Sequence, residues 1–208
     1  MAALLSEVAP LAAAPTPDDG ERISDEQPWD EASRPTAPVP DPERLYTPAE
    51  QASAQLLLDV HGQLRDELVR LRDLMTQVGR GSTNPSAVRS FFTRMMIRQN
   101  NWTLGAFCES YCRAVSTHHM LEDRRLFPHL QAADASLSGV LDRLAQEHEV
   151  IADIVERIDA ALVALVAAEP DGMTRVRDAV DLLTDALSSH LSYEERELLE
   201  PLARFGHE

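Results

Sequence analysis

The stretches HHMLEDRRLFP at residues 118–128 and HLSYEE at residues 190–195 decide the fold of this chain. Glu122 follows His118 by four residues in the first stretch, and Glu194 follows His190 by four residues in the second. Residues four apart share one face of an α-helix. Each stretch therefore predicts a helix with a histidine and a carboxylate facing the same way. A buried carboxylate without a partner is strongly destabilising, and a pair of bound cations would supply that partner.

Helix start and stop signals extend outward from these stretches. The capping box TPAE at residues 47–50 predicts the start of a first helix, and GRG at residues 79–81 predicts its end. A second helix is predicted to open at Asn84-Pro85 and to run to residues 126–128. The polar run at residues 99–101 is where we expect this helix to be interrupted or kinked.

Two further amphipathic helices complete the predicted fold. Asp134 or Ser136 caps the third, and Asp171-Gly172 opens the fourth, which ends near Gly206. Four helices with short connections favour an all-α, antiparallel up-down four-helix bundle over residues 47–206.

The preceding residues 1–46 have a different composition. They are acidic, rich in Pro and Ala, and show no sustained apolar period, so they cannot bury enough surface to offset the entropy of ordering. We predict a disordered arm, and the alternative is a docking segment for a protein partner. The first residues lack the basic start of a signal peptide. A cytoplasmic location is therefore expected.

Charge and cysteine content narrow the classes of partner. The formal net charge is -16 and the pI is near 4.7, which argues against nucleic acid and against an anionic membrane surface. No stretch is apolar enough to suggest a membrane span. The only cysteines, Cys108 and Cys112, lie one helical turn apart and are predicted to be small buried hydrophobic residues.

Histidines fall on every predicted helix. Five of the seven lie within them: His61, His118, His119, His148 and His190. His61, His148 and His190 occupy positions of the apolar stripes that face the core. A site of imidazole and carboxylate donors suits iron, manganese or zinc rather than calcium or copper(I).

Four motifs in order give a specific resemblance. His61-Gly-Gln-Leu64-Arg65, the stretch 118–128, Glu147-His148-Glu-Val-Ile151 and the stretch 190–195 resemble the signatures of the hemerythrin-like, or HHE cation-binding, domain over roughly residues 50–203. The resemblance implies a four-helix bundle with two non-haem iron ions, bridged by oxo or hydroxo groups and by carboxylates. Manganese or zinc is less expected.

The resemblance also implies the metal ligands, which are His61, His118, Glu122, His148, His190 and Glu194. Glu195 is the alternative to Glu194, because oxygen-carrying hemerythrins place their second bridging acid five residues after the histidine. Those carriers have a fifth histidine one turn from the third-helix ligand, where this chain has Leu144 and Ala152. This departure argues against simple reversible oxygen carriage.

Other polar residues are predicted to support the centre from outside it. His119 points about 100° away from His118 and is expected to be a supporting or surface residue. Tyr111 and Tyr193 could donate hydrogen bonds to the centre, although tyrosines of this kind are more often core residues. Glu147 could orient a ligand histidine or pair with an arginine, as could Asp123 and Glu195. His129 and His207 lie at helix ends and are expected to be solvated.

The expected function is the binding of O2, peroxide or NO at an open iron position, in sensing, detoxification or oxidative chemistry. If the protein turns over, the resemblance implies a peroxidase-like or catalase-like, NO-metabolising or O2-activating oxidoreductase. One alternative is a di-iron oxygenase or oxidase acting on an organic substrate, and another is a non-enzymatic iron-responsive or iron-storage module. A metal-free interaction bundle would not explain the buried glutamates.

Overall fold

The computed structural model describes residues 8–82 and 91–207, with the backbone alone for residues 79–82 and 91–103. These residues form five α-helices: α1 (Pro48–Ser82), α2 (Phe91–Leu121), α3 (Phe127–Ala133), α4 (Ser138–Val166) and α5 (Gly172–Phe205). A π-helical turn, Glu122–Leu126, joins α2 to α3. The described residues contain no β-strand, only an isolated bridge between Ala9 and Tyr46. The all-helical prediction is confirmed.

The predicted start of the first helix and the predicted end of the last helix agree with the structure. The predicted end of the first helix at residues 79–81 is wrong, because α1 continues through Gly79 and Gly81 to Ser82. At the start of α1, the Thr47 amide donates to Glu50 Oε2 at 2.7 Å, and the Glu50 amide donates to Thr47 Oγ1 at 3.3 Å. This is the reciprocal pattern of a capping box. At the other end of the bundle, α5 stops at Phe205, before Gly206 with its φ of 72°.

The second helix differs from its prediction. Its expected start at Asn84-Pro85 lies outside the described residues. The predicted interruption at residues 99–101 is wrong, because α2 is continuous there. Gln and Asn lower helix propensity only modestly, and this run contains neither Gly nor Pro. The irregularity lies instead at the π-helical turn, where the Phe127 amide bonds to the Glu122 carbonyl and widens the helix.

The four long helices pack in a ring. Helix α1 contacts α2 and α5, and α4 contacts the same two helices on the other side. Helix α3 continues beyond α2 and packs against α4 and α5. Four helices paired in this way support the predicted bundle. In residues 8–82 and 91–207, none of the helices has the length and apolar character needed to span a membrane.

A polar layer divides the apolar core into two clusters. The first cluster includes Leu64 and Ile151, and the second includes Leu57 and Leu144. His61 lies between Leu57 and Leu64 along α1, so the chain passes from one cluster through a histidine into the other. Helices α4 and α5 do the same, and α2 reaches the second cluster through the π-helical turn that follows it. This arrangement places a set of buried polar side chains in the middle of the bundle.

The N-terminal segment, residues 8–46, agrees only in part with the prediction of a disordered arm. Apart from the short 3₁₀ turn Glu31–Ser33 it lacks regular structure, as expected, but it packs along α5. Backbone amides of this segment donate to acidic side chains of α5: Ser24 to Asp185 at 2.8 Å and Ala37 to Glu197 at 2.7 Å. The prediction rested on apolar burial alone, whereas hydrogen bonds to buried carboxylates hold much of this segment.

The cysteines agree with their prediction. Cys108 and Cys112 are buried and unpaired, and Cys108 belongs to the first apolar cluster. Burial raises the pKa of Cys108 to about 12 and that of Cys112 to about 11, so both remain thiols at neutral pH.

Replacing Gly172 with alanine is expected to destabilise the protein. A Cβ at this position would lie 2.7 Å from Leu165 Cα, where α5 turns back onto α4. Backbone atoms cannot yield easily, so we expect a loss of about 1–3 kcal/mol in the free energy of unfolding, measured by chemical denaturation. Gly139→Ala is the control, because its Cβ would meet Pro35 at an ordinary 3.7 Å. Equal stability of the two variants would contradict the prediction.

Candidate metal centre

Seven buried or nearly buried side chains form two neighbouring groups of donor atoms in the polar layer. The first group contains His61, His118, Glu122 and Glu194, and the second contains His119, His148 and His190. Within each group, the donor atoms all lie within 4.8 Å of one another. Every long helix of the bundle contributes at least one donor.

The two carboxylates of the first group lie between the groups. Glu122 Oε1 is 3.2 Å from His118 Nε2, and Glu122 Oε2 is 3.6 Å from His148 Nε2. Glu194 Oε2 is 3.4 Å from His61 Nε2 and 3.7 Å from His190 Nε2. Each carboxylate therefore reaches both groups, as a carboxylate bridging two cations must.

Many atoms of the two donor groups lack a hydrogen-bond partner within the protein. Among the described residues, eight buried side-chain nitrogen or oxygen atoms lack a hydrogen-bond partner, and six of them belong to the two groups. They are His61 Nε2, His118 Nε2, His119 Nε2, Glu122 Oε2 and both carboxylate oxygens of Glu194. Unpaired buried polar atoms are costly, and their concentration at one place indicates a missing partner. Imidazole and carboxylate together suit iron, manganese or zinc.

Burial keeps most of these imidazoles neutral. It lowers the pKa of His118 to about 3 and holds the pKa of His119 well below its usual value, where His148 and His190 also disfavour a positive charge. Burial likewise lowers the pKa of His190. A neutral imidazole has the free lone pair that a metal requires, so these histidines are prepared to bind cations near neutral pH.

The two carboxylates have pKa values shifted in opposite directions. Burial raises the pKa of Glu122 well above its ordinary value, and the charge of Glu194 raises it further. Burial also acts to raise the pKa of Glu194, but the hydrogen bond and the positive charge of His61 bring the pKa below normal. Without cations, the pair therefore retains a proton on Glu122, which bound cations would displace.

Three of the histidines are oriented by carboxylates outside the two groups. Glu195 Oε1 lies 2.9 Å from His61 Nδ1, Glu147 Oε2 lies 3.1 Å from His190 Nδ1, and Asp123 Oδ1 lies 2.8 Å from His148 Nδ1. With a proton on Nδ1 donated to the carboxylate, each ring presents the lone pair of Nε2 to the centre.

The structure distinguishes the two acids at the end of the fourth motif. Glu194 lies in the first group, whereas Glu195 points to the other side of His61 and to Arg65, whose Nη1 donates to Glu195 Oε1 at 2.6 Å. The Thr16 amide donates to Glu195 Oε2 at 2.6 Å. Both oxygens of Glu195 are thus occupied away from the donor groups.

His119 is the donor that sequence reasoning missed. The sequence predicted a supporting or surface residue, but its ring is buried and stacks on His148 with centroids 4.0 Å apart. His118 faces α1 instead, with its ring 5.1 Å from that of His61. Because α2 lies between α1 and α4, a rotation of about 100° moves a side chain from one neighbour to the other. The adjacent pair His118-His119 was the available signal.

The remaining predicted residues lie outside both groups. Tyr111 donates its hydroxyl to the Leu64 carbonyl at 3.2 Å, and Tyr193 donates to the Pro35 carbonyl at 2.7 Å. The prediction that His129 and His207 are solvated is wrong, since both are half-buried. Each has a ring nitrogen beside a backbone carbonyl: His129 Nε2 lies 3.0 Å from the Phe205 carbonyl and His207 Nε2 lies 2.8 Å from the Ser53 carbonyl.

Two cavities of about 300 Å³ each reach the centre from different sides. The first is lined mainly by apolar side chains, including Leu57, Val60 and Leu126, and reaches His118 and Glu122. The second lies between α2 and α4, where its lining reaches His119 and His148 and is more polar: Ser116, Asp123, Arg124 and Glu149. A small ligand would meet the first donor group through an apolar passage.

Comparison with known families identifies one match. The family described as hemerythrin HHE cation binding domain matches residues 52–202, which include all seven donors of the two groups. No curated protein and no solved structure matches the chain.

Proposed function

We propose a di-iron function for this chain, which belongs to the hemerythrin HHE cation-binding domain family. The proposed centre binds O2, peroxide or NO at an open coordination position. The observation that carries this proposal is the placement of Glu122 and Glu194, each of which reaches both donor groups. Two carboxylates in this position offset the repulsion between two cations held close together.

The donor groups suggest different roles for the two irons. His119, His148 and His190 would hold one iron, and His61 and His118 the other, while both share Glu122 and Glu194. The iron beside His61 and His118 would have fewer protein donors and therefore more positions open to an exogenous ligand. Bound iron supplies the redox chemistry and the affinity for small ligands.

His119 removes one argument against reversible ligand binding. Helix α4 has no second histidine beside His148, because Leu144 and Ala152 stand one turn away on either side. His119 approaches the same position from α2 and stacks on His148. The second group thereby reaches three imidazoles, so the histidine that α4 lacks is replaced by one from α2.

The apolar cavity suits the ligands proposed. O2 and NO are small and neutral and lose little solvation on entering an apolar passage. Leu57, Val60 and Leu126 line this passage, which ends at His118 and Glu122 of the first group. The mainly apolar lining favours the entry of neutral molecules over that of ions.

Filling this cavity should slow ligand binding without removing iron. In the variant Val60→Phe, the phenyl ring occupies space in the cavity beside His118. We expect NO to bind the iron-loaded protein roughly tenfold more slowly, which corresponds to an increase of about 1.4 kcal/mol in the activation free energy. Stopped-flow absorption measures the rate, and elemental analysis measures the bound iron.

Ala152→Phe is the control, because it places the same phenyl ring at the second cavity. Equal rates for both variants and the parent would overturn the proposed route. Folded parent protein that holds no stoichiometric iron after anaerobic loading would overturn the di-iron proposal itself.

A second candidate function is oxidation of an organic substrate. It is favoured by the volume of the apolar cavity, about 300 Å³, which is at the lower end of small-molecule sites. Consumption of O2 that depends on an added apolar compound, and that stops in Val60→Phe, would favour this candidate over ligand binding alone.

A further inference from the structure

Arg34 in the N-terminal segment makes a buried ion pair with α4. Its Nε and Nη2 donate to Glu147 Oε1 and Oε2, both at 2.8 Å, and its Nη1 donates to Ser189 Oγ at 2.9 Å. The Arg34 side chain is 6% exposed and that of Glu147 is 1% exposed. A fork-to-fork pair of this kind fixes the plane of the carboxylate as well as its charge.

The Arg34 guanidinium is itself held in place by aromatic rings. Its central carbon lies 4.6 Å from the centroid of Tyr193 and 5.4 Å from that of Trp29. The Tyr193 hydroxyl donates to the Pro35 carbonyl at 2.7 Å, which ties the residue after Arg34 to α5. These contacts leave the guanidinium little freedom to turn.

Glu147 connects Arg34 to the donor groups. Its Oε2 accepts from Arg34 and lies 3.1 Å from His190 Nδ1, while His190 Nε2 belongs to the second group. A chain of hydrogen bonds therefore links Arg34 to Glu147 and Glu147 to His190. Arg143 Nε also donates to Glu147 Oε1 at 2.8 Å, so Glu147 retains one cationic partner when Arg34 is absent.

We infer that Arg34 is a positioning residue of the metal centre, acting through Glu147 to orient His190. The inference rests on the proposed metal binding at these groups. Arg143 can balance the charge of Glu147, but it contacts only one of its oxygens. Arg34 engages both oxygens and so fixes the direction from which Glu147 accepts the Nδ1 proton of His190.

A purely structural role for Arg34 makes a different prediction. Other contacts also attach the N-terminal segment to the bundle, such as Arg157 with Glu26 at 2.6 and 2.9 Å on the surface. If Arg34 only attached this segment, loss of either arginine should affect the bound metal in the same way. If Arg34 positions His190, only its own loss should change the metal centre.

The test measures the rate at which the full-length, iron-loaded protein loses iron to a chelator. Arg34→Ala should release iron about 10- to 100-fold faster, as is usual when support of a ligand histidine is lost, and should shift the near-ultraviolet absorption of the centre. Arg34→Lys keeps the charge but not the fork, and should lie between Arg34→Ala and the parent. Arg157→Ala, the matched control, should behave as the parent.

A double-substitution cycle tests the route through Glu147. In the Glu147→Gln background, Arg34→Ala should change the release rate by no more than about twofold, because the residue through which it acts has already been altered. An unchanged large effect of Arg34→Ala in the Glu147→Gln background would overturn the inference, and so would iron release and absorption equal to those of the parent in Arg34→Ala alone.

If Arg34→Ala fails to fold, Arg34→Lys decides: iron release equal to that of the parent would overturn the inference. A folded parent that holds no iron would instead refute the proposed function.

Discussion

Replacing Glu194 with glutamine should remove most of the bound iron, whereas Glu195→Gln should leave the iron in place. Glu194 Oε2 lies 3.4 Å from His61 Nε2 and 3.7 Å from His190 Nε2, so the substitution takes a negative donor from both groups. An amide oxygen binds iron more weakly than a carboxylate and cannot offset the charge of two cations. The binding of both irons is therefore expected to be weakened by this single substitution.

The comparison with Glu195 makes the measurement specific. Glu195 is as deeply buried as Glu194, but it contacts His61 Nδ1, Arg65 and the Thr16 amide on the far side of the imidazole. Elemental analysis after iron loading should therefore separate the variants by stoichiometry. Glu195→Gln should bind the full amount of iron but release it faster, because His61 is then oriented less firmly. The reverse order of iron contents would show that Glu195 is the bridging acid.

Glu122→Gln should stabilise the metal-free protein and destabilise the iron-loaded protein. Because the pKa of Glu122 is raised in the folded state by burial and by Glu194, its contribution to stability is full below the unfolded pKa and is lost as the pH rises through the folded value. Glutamine is uncharged and escapes this loss. At neutral pH the metal-free variant should be more stable by about 1–3 kcal/mol, and near pH 4.5 the difference should vanish.

Iron reverses the order of stability. Ligand binding to the folded state alone stabilises it, by about 2.7 kcal/mol when the free ligand exceeds the Kd a hundredfold. The parent should gain this stabilisation, and Glu122→Gln should lose most of it because Glu122 reaches both groups. Thermal unfolding with and without ferrous iron under argon measures both effects. Glu109→Gln is the control, since the Glu109 side chain is exposed on α2.

Much of the fold could be predicted from helical periodicity, and six of the seven donors from the resemblance of the four motifs to the hemerythrin-like family, which their spacing supports. His61 and His148 replace leucine within regular apolar stripes, and the intervals from His118 to Glu122 and from His190 to Glu194 fit one helical turn. These are local features, because an α-helix fixes the relative direction of residues close in sequence. Helix ends marked by the capping box and by Gly206 were predictable for the same reason.

His119 and the N-terminal segment were not predictable in this way because they depend on neighbours distant in sequence. His119 faces inward only because α4 packs beside α2. The segment 8–46 is held by carboxylates such as Asp185 and Glu197, which the sequence presents as ordinary solvated charges of α5. Nothing local distinguishes an acid that accepts backbone amides from one that faces water.

The contacts between the N-terminal segment and α5 set an order for assembly on the ribosome. Thr16 precedes its partner Glu195 by 179 residues, and Ser24 precedes Asp185 by 161. Contacts so far apart in sequence are late and entropically expensive, whereas the helices themselves form early. The N-terminal segment must therefore wait until α5 has emerged before it can dock. Completion of the support around His61 and His190 is thereby tied to the synthesis of α5, by which point every donor is already present.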